Sequence, residues 1–364
     1  MAIHFEKEQY AALRQTYRKW WAGELDRPIV PILTVGHGTP AMENKLPLGF
    51  TNAWDTSIDP REFINAFDLA SDSHRWQGES FPLFYTQRFG AGVLAAFLGC
   101  IPYATPHTVW FGPPRKDIPI EELHFEFDEN NPYYRRVVNL FEAAMEKWHG
   151  KVVVGMVDLG GIMDVLQSFR GAENLLMDLY DAPEEVLRCV NELQQMWFLY
   201  FDKLNAIMEG EAQGYSHWYG LYHEKPGYIL QSDFSFMISP DMFKTFVAPE
   251  LLSSANRMFN AVYHLDGEGE IAHLDTILAM DGIKGIQWVP SPGNADKNWD
   301  ELLCRIAGAG KKVINHASKP DGTPIDALAH CPGQLYFQQR WFFVQQIEQA
   351  RRYAGMYGIE IKER

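Results

Sequence analysis

The sequence predicts an α/β fold, a (β/α)8 barrel of the TIM type with a helical N-terminal cap, and three observations predict it. From residue 260 onward, strand-like and helix-like segments alternate regularly, which is the pattern of a parallel sheet with helices outside. Val152 to Val157 is an almost wholly apolar run, as expected of a strand buried on both faces. The strand candidates come to about eight, the number that closes such a barrel. An open doubly wound sheet is the alternative. No low-complexity linker or short-period repeat divides the chain, so residues 1–364 read as one domain, with 1–27 as its N-terminal cap.

Each element has a local reason. Tyr10, Leu13, Tyr17, Trp20 and Trp21 recur at helical spacing before Asp26-Arg27-Pro28, and Ile29 to Val35 then reads as a β-branched strand. Phe81 to Gln87 supplies another. Tyr134, Val138, Phe141, Met145 and Trp148 mark a helix ending at His149-Gly150, ahead of the Val152 strand. After Gly160-Gly161 come a short helix through Phe169 and a second from Asn174 to Tyr180. The long helix through Met208 takes Asp181 as its expected N-cap and Pro183 in its first turn. One or two strands fall between Tyr215 and Asp233. Ser239 caps a helix that starts at Pro240 and runs to about Met258. Strands follow at Asn260 to Leu265, Ile283 to Val289, Lys311 to Asn315 and Leu335 to Gln338. The helices between and after them are His273 to Met280, Trp299 to Ala307 and a terminal one.

The 364 residues are 46% hydrophobic and 14% aromatic, enough for a large core and too apolar for disorder. A net charge of −15 with no basic run opposes nucleic acid and anionic membrane surfaces. Cys100, Cys189, Cys304 and Cys331 show no C-x-x-C spacing and read as buried thiols of a reducing cytoplasm. There is no secretory signal pattern, and the apolar stretch around Gly90 to Pro102 is too short to span a bilayer. The expectation is a cytoplasmic protein acting on a small molecule, and its tryptophans and aromatic helices leave room for a homodimer interface.

His264-Leu265-Asp266-Gly267 is the most informative stretch. An imidazole and a carboxylate two residues apart on a strand point the same way, into the mouth of the predicted barrel. Three roles fit: metal ligands, a hydrogen-bonded acid/base pair, or substrate-binding groups. Zinc accepts imidazole nitrogen and carboxylate oxygen, and Glu268 or His273 would complete such a site. As an acid/base pair, the carboxylate would fix the imidazole tautomer and raise its pKa. The structural alternative is a hydrogen bond closing the turn before Gly267.

Asp181-Ala182-Pro183-Glu184-Glu185-Val186, Ser239-Pro240-Asp241-Met242-Phe243, the His264 strand end and Ile286-Gln287-Trp288 together resemble the uroporphyrinogen decarboxylase superfamily. That superfamily of (β/α)8 barrels also contains zinc-dependent, corrinoid-linked methyltransferases, and the resemblance covers roughly residues 150 to 355. It implies decarboxylation or methyl transfer, with zinc and a corrinoid carried by a partner protein in the second case. Two departures stand out. The arginine-bearing N-terminal segment of the decarboxylases reads Thr34-Val35-Gly36-His37-Gly38-Thr39-Pro40 here, and the His-x-Cys of the zinc methyltransferases reads His264-Leu265-Asp266. Cys331, in the right part of the chain for a later thiolate, precedes a strand and so falls at the wrong end of a barrel.

The resemblance puts Asp233 at a strand end where a carboxylate would stabilise positive charge on a ring during decarboxylation; a turn-capping Asp is the alternative. Gln287 and Trp288 suit a flat or sugar-like substrate, or core packing. Tyr215 to His223, with His217, Trp218 and Tyr222, reads as a lid or pocket wall, or else as an aromatic plug. His37 and Asp158 stand at C-terminal strand ends in supporting positions. Gly90-Ala91-Gly92-Val93-Leu94-Ala95 matches G-x-G-x-x-A without the later acid of a dinucleotide site, and reads as close helix packing. Three functions follow: metal-assisted methyl or one-carbon transfer linked to a corrinoid protein through His264 and Asp266; cofactor-free decarboxylation of a tetrapyrrole or aromatic acid through Asp233 and His264; or metabolite binding without turnover.

Overall fold

The first helix, Lys7–Ala22, forms because Tyr10, Leu13, Tyr17 and Trp20 make one buried stripe. It ends at Gly23, whose φ of 75° is the left-handed conformation that glycine adopts without steric cost, so it stops before the Asp26-Arg27-Pro28 breaker. The computed structural model describes residues 3, 5–37, 48–295, 297–314, 336–337 and 340–361, and Cys331 lies outside them.

The strands are mostly parallel and fall into separate ladders. Ile229–Leu230, Ala261–Asp266, Ile283–Val289, Lys312–Ile314 and Tyr336–Phe337 form one parallel sheet. Leu83–Phe84, Val153–Met156 and Ser216–His217 form another. Pro31–Val35 lies between Arg340–Phe343, parallel, and Arg75–Gly78, antiparallel. An isolated parallel bridge joins Ile29, just before Pro31–Val35, to Phe337 of the Tyr336–Phe337 strand. Among the described residues, no ladder joins Ser216–His217 to Ile229–Leu230, or Pro31–Val35 to Leu83–Phe84, so the expected closed barrel is not formed by hydrogen bonds. The strands flanking these gaps are mostly two-residue pieces, too short to carry a continuous ladder; the predicted Phe81 to Gln87 strand shrinks to Leu83–Phe84.

The ladders nonetheless share an interior. Leu83, Val153, Ile229, Val262, Ile314 and Phe337 pack into one buried cluster with Tyr10, Leu13, Tyr17 and Trp20 of the first helix. Alternate residues Ala261, Tyr263 and Leu265 face a larger outer core. Val262 thus points inward at one end of its strand, while His264 and Asp266, in phase with it, project at the C-terminal end.

The predicted helices fall close to their places, the helices Phe50–Trp54 and Pro60–Ser71 were not foreseen, and three further differences stand out. Asp181 ends the Ala172–Asp181 helix, and Ala182 precedes Pro183 as the N-cap of the long Pro183–Met208 helix. Ser239 does cap its helix, its side chain accepting from the Met242 N–H at 3.3 Å. That helix breaks at Val247, giving Pro240–Phe246 and Ala248–Arg257, because Pro249 has no N–H to continue the ladder. The third difference is a hairpin, Ile101–Ala104 with Val109–Gly112, that periodicity did not reveal.

Gly92, at φ 88°, lies so close to Gly160 that a Cβ on Gly160 would sit 2.6 Å from the Gly92 Cα. The G-x-G-x-x-A stretch is therefore close packing, as expected. Cys100 and Cys189 are buried free thiols, but Cys304 is disulfide-bonded, which corrects the reading of all four cysteines as thiols. No helix among the described residues is long and apolar enough to cross a membrane.

Candidate functional site

Three acidic or basic side chains from two segments meet at the C-terminal strand ends. One ligand-capable atom each from Asp233, His264 and Asp266 lies within 4.8 Å of the other two. His264 and Asp266 come from the Ala261–Asp266 strand, and Asp233 from the turn that follows Ile229–Leu230, the adjacent parallel strand.

His264 is held in one orientation. Its Nδ1 donates to the Gln287 Oε1 at 2.7 Å, from the neighbouring strand in register with it. An amide oxygen can only accept, so this bond puts the proton on Nδ1 and leaves the Nε2 lone pair for a cation or a proton. Burial keeps the imidazole below its ordinary pKa, against the opposing pull of the Gln287 bond and Asp266. The Trp218 ring stands edge-on to the imidazole, with centroids 5.7 Å apart.

Asp233 is fixed through its backbone by a residue the sequence did not flag. Asp164, in the first turn of the Ile162–Arg170 helix, accepts from the Asp233 N–H at 3.1 Å and the Phe234 N–H at 2.7 Å. The available signal was an aspartate just after Gly160-Gly161, at the C-terminal end of a fully buried strand. Glu270, also unflagged, is completely buried; its Oε2 accepts from the Tyr263 hydroxyl at 2.9 Å, and its Oε1 has no partner among the described residues.

Negative charge accumulates here. Burial, and then the charge of Asp266, push Asp233 up to about 7. Burial and Asp233 push Asp164 up to about 7. Asp158, whose Oδ1 accepts from the Gly160 N–H at 3.0 Å, is pushed up to about 8 by burial. Glu270 is raised by burial and by Asp233. So many carboxyls around one neutral imidazole favour either shared protons or a bound cation.

These shifts set a pH dependence. The unfolded chain releases these protons near the ordinary value of 3.8, whereas the folded chain keeps those of Asp158 and Asp164 to about 8 and 7. Between these limits the folded state binds more protons, so stability falls as pH rises. The buried imidazoles, held below their ordinary pKa, act in the opposite direction up to about pH 6.5, so thermal melts in chelator at about pH 7.2, 7.8 and 8.5 are expected to show a falling midpoint, and Asp158→Asn should flatten the fall. A midpoint that rises over this range would contradict the assignment.

A cleft of about 840 Å³ opens over the site, lined by Asp164, Gln231, Asp233 and Asp266 at its floor and by Trp110, Phe236 and Met237 at its walls. The other flagged residues are distributed differently. Gln287 faces His264, but Trp288, the next residue on the strand, points to the opposite side and packs against Trp299 in the outer core. His217 is fully buried, with its Nε2 3.4 Å from that of His223; burial holds both well below the ordinary range, so they form a neutral structural pair.

Tyr222 packs on Tyr17 and Phe81 at the end filled by the first helix, away from the cleft. The Tyr215 to His223 segment is thus mainly a plug rather than a lid, with Trp218 reaching the His264 ring. Glu268 accepts from the Ser291 hydroxyl at 2.5 Å and stands apart from the Asp233, His264 and Asp266 group. His37 bonds the Thr34 hydroxyl at 2.7 Å and does not line the cleft. His273 is buried, its Nε2 2.8 Å from the Ser235 carbonyl.

No protein-family model and no curated protein matches the chain. Among solved structures, the chain is similar to a methyltransferase from Methanosarcina mazei, with a TM-score of 0.59 at 13% identity, over 91% of this chain and 93% of that one. At that identity the likeness is one of fold.

Proposed function

We propose that the chain is an enzyme of metal-assisted methyl or one-carbon transfer, linked to a corrinoid protein, and a divergent member of the uroporphyrinogen decarboxylase superfamily on an incompletely hydrogen-bonded (β/α)8 frame. The observation that carries this reading is the approach of Asp233, His264 and Asp266 within 4.8 Å of one another. They offer one imidazole nitrogen and two carboxylates, a donor set that zinc accepts. A cation held there would supply Lewis acidity toward the group being transferred.

The chain's own residues have separable tasks. Gln287 fixes the His264 tautomer, Asp164 fixes the Asp233 backbone, and Asp233 and Asp266 balance positive charge. The similarity to a methyltransferase fold supports methyl transfer as the chemistry. Asp266 stands where the zinc methyltransferases it resembles carry cysteine, so the donor set suits an oxygen- or nitrogen-bound group better than activation of a thiol.

Cofactor-free decarboxylation is less well supported. Among the described residues, a substrate with several carboxylates would meet Asp117, Asp164, Asp233 and Asp266, with Lys116 and Arg170 as the basic residues lining the cleft. Arg170 is already bound to Asp178.

Metal analysis by mass spectrometry, on protein purified without chelator, tests the reading. About one divalent cation per chain is expected in the wild type and loss of it in His264→Ala and Asp266→Ala. An absence of metal from every sample would overturn it.

A further inference from the structure

We infer that the cleft takes a methylated ammonium compound as its methyl-bearing substrate; this rests on the cleft being the active site proposed above. Its walls are apolar and open. Trp110, on the Val109–Gly112 strand of the hairpin, is 69% exposed, and Phe236 and Met237, on the turn after Asp233, are 52% and 44% exposed. All three line the cleft. A tryptophan left this open offers its ring face to a ligand, and an indole face is the strongest side-chain partner for an organic cation.

The floor asks for positive charge. Among the described residues, Asp117, Asp164, Asp233 and Asp266 line the cleft against Lys116 and the already paired Arg170. Gln231, which also lines it, is only 4% exposed, and its Oε1 has no hydrogen-bond partner among the described residues. An acceptor left open beside carboxylates suits a ligand that brings donors or positive charge. Even with a divalent cation held by Asp233 and Asp266, Asp117 and Asp164 remain to face Lys116.

A quaternary ammonium head is weakly hydrated, so it enters such a site at small desolvation cost and gains from both the rings and the carboxylates. An anionic ligand would have to be desolvated against like charge, and the net charge of −15 also steers cations inward. In the transfer, the N–CH3 bond breaks with its electron pair left on nitrogen. The donor leaves as a neutral amine, and the methyl bonds to the electron pair of a nucleophilic acceptor, a reduced corrinoid.

Titration calorimetry with the full chain tests this, using choline, its uncharged isostere 3,3-dimethylbutan-1-ol, and benzoate, in chelator and again with zinc. Choline is expected to bind at least about ten-fold more tightly than the isostere, with no measurable binding of benzoate. Trp110→Ala should weaken choline by about ten-fold with an unchanged melting temperature, and Trp110→Phe should recover most of the loss. Equal affinity for choline and the isostere, or choline binding indifferent to Trp110→Ala, would overturn the inference. Choline binding by a protein that never holds metal would sink the proposed function and leave the cleft as an ammonium-binding site only; stoichiometric metal without choline binding would overturn this inference and leave the proposed function standing.

Discussion

Asp266→Ala is expected to reduce turnover on the order of 10³-fold or more while leaving the metal-free protein as stable as the wild type, or slightly more so. The two halves of this result have different causes. Asp266 is half-buried at the end of its strand, and no side-chain hydrogen bond of its carboxylate is found among the described residues, so its removal breaks no such bond. The turn is held instead by the backbone, with the Gly267 N–H donating to the Val289 carbonyl at 2.8 Å. Toward Asp233 it exerts repulsion: its charge helps raise Asp233 to about 7, and that strain disappears in the variant, while its pull on the neutral His264 imidazole is weak. A residue kept at an electrostatic cost without structural return is best explained by a ligand that needs it. Turnover assays and metal-free thermal melts would be run on the same preparation. Severe unfolding would make Asp266 a turn residue, and full activity would remove it from the site.

The sequence made the long-range logic of the fold legible wherever an element had a strong period or cap. Val153–Met156, Ile283–Val289 and Pro132–Trp148 fall where apolar spacing puts them, and Ser239 caps as its position suggests. It was silent where tertiary contacts decide. The hairpin at Ile101–Gly112 has no strong alternation, and the strand pieces at Leu83–Phe84 and Ser216–His217 are shorter than any periodic window can resolve.

The site follows the same division. His264 and Asp266 were legible because two residues on one strand share a face without help from the rest of the chain. Asp164 was not, because its role depends on backbone N–H groups of residues 233 and 234, far away in sequence. Trp288 was misplaced by its adjacency to Gln287, since consecutive residues on a strand face opposite sides. His217 and Tyr222 show that aromatic density is a poor guide to a site; Tyr222 fills an interior that the strands leave wide, and His217 is buried against His223.

Trp20→Ala should give the largest loss of stability, about 3–5 kcal/mol, the range for truncating a buried tryptophan. Trp20 is completely buried at the end of the interior opposite the cleft, 4.6 Å from the Trp21 ring and 6.4 Å from those of Tyr17 and Phe337. Its loss would open a cavity that the surrounding strands cannot collapse into, because their positions are set by neighbouring ladders. It would also strip a partner from Lys312, whose ammonium lies 5.0 Å from the Trp20 ring centroid and whose pKa burial already lowers to about 8. Removing the ring leaves that buried cation with less compensation, adding to the cavity cost.

Trp20→Phe separates these contributions. The indole N–H has no hydrogen-bond partner among the described residues, so phenylalanine removes an unsatisfied donor while keeping an aromatic face, and should cost far less than alanine. Urea unfolding of both variants measures the difference. A loss below about 1 kcal/mol in Trp20→Ala would mean that the first helix is merely appended to the strands. The expected pattern, a severe alanine defect and a mild phenylalanine one, would establish that Lys7–Ala22 completes an interior that the strand ladders alone leave open.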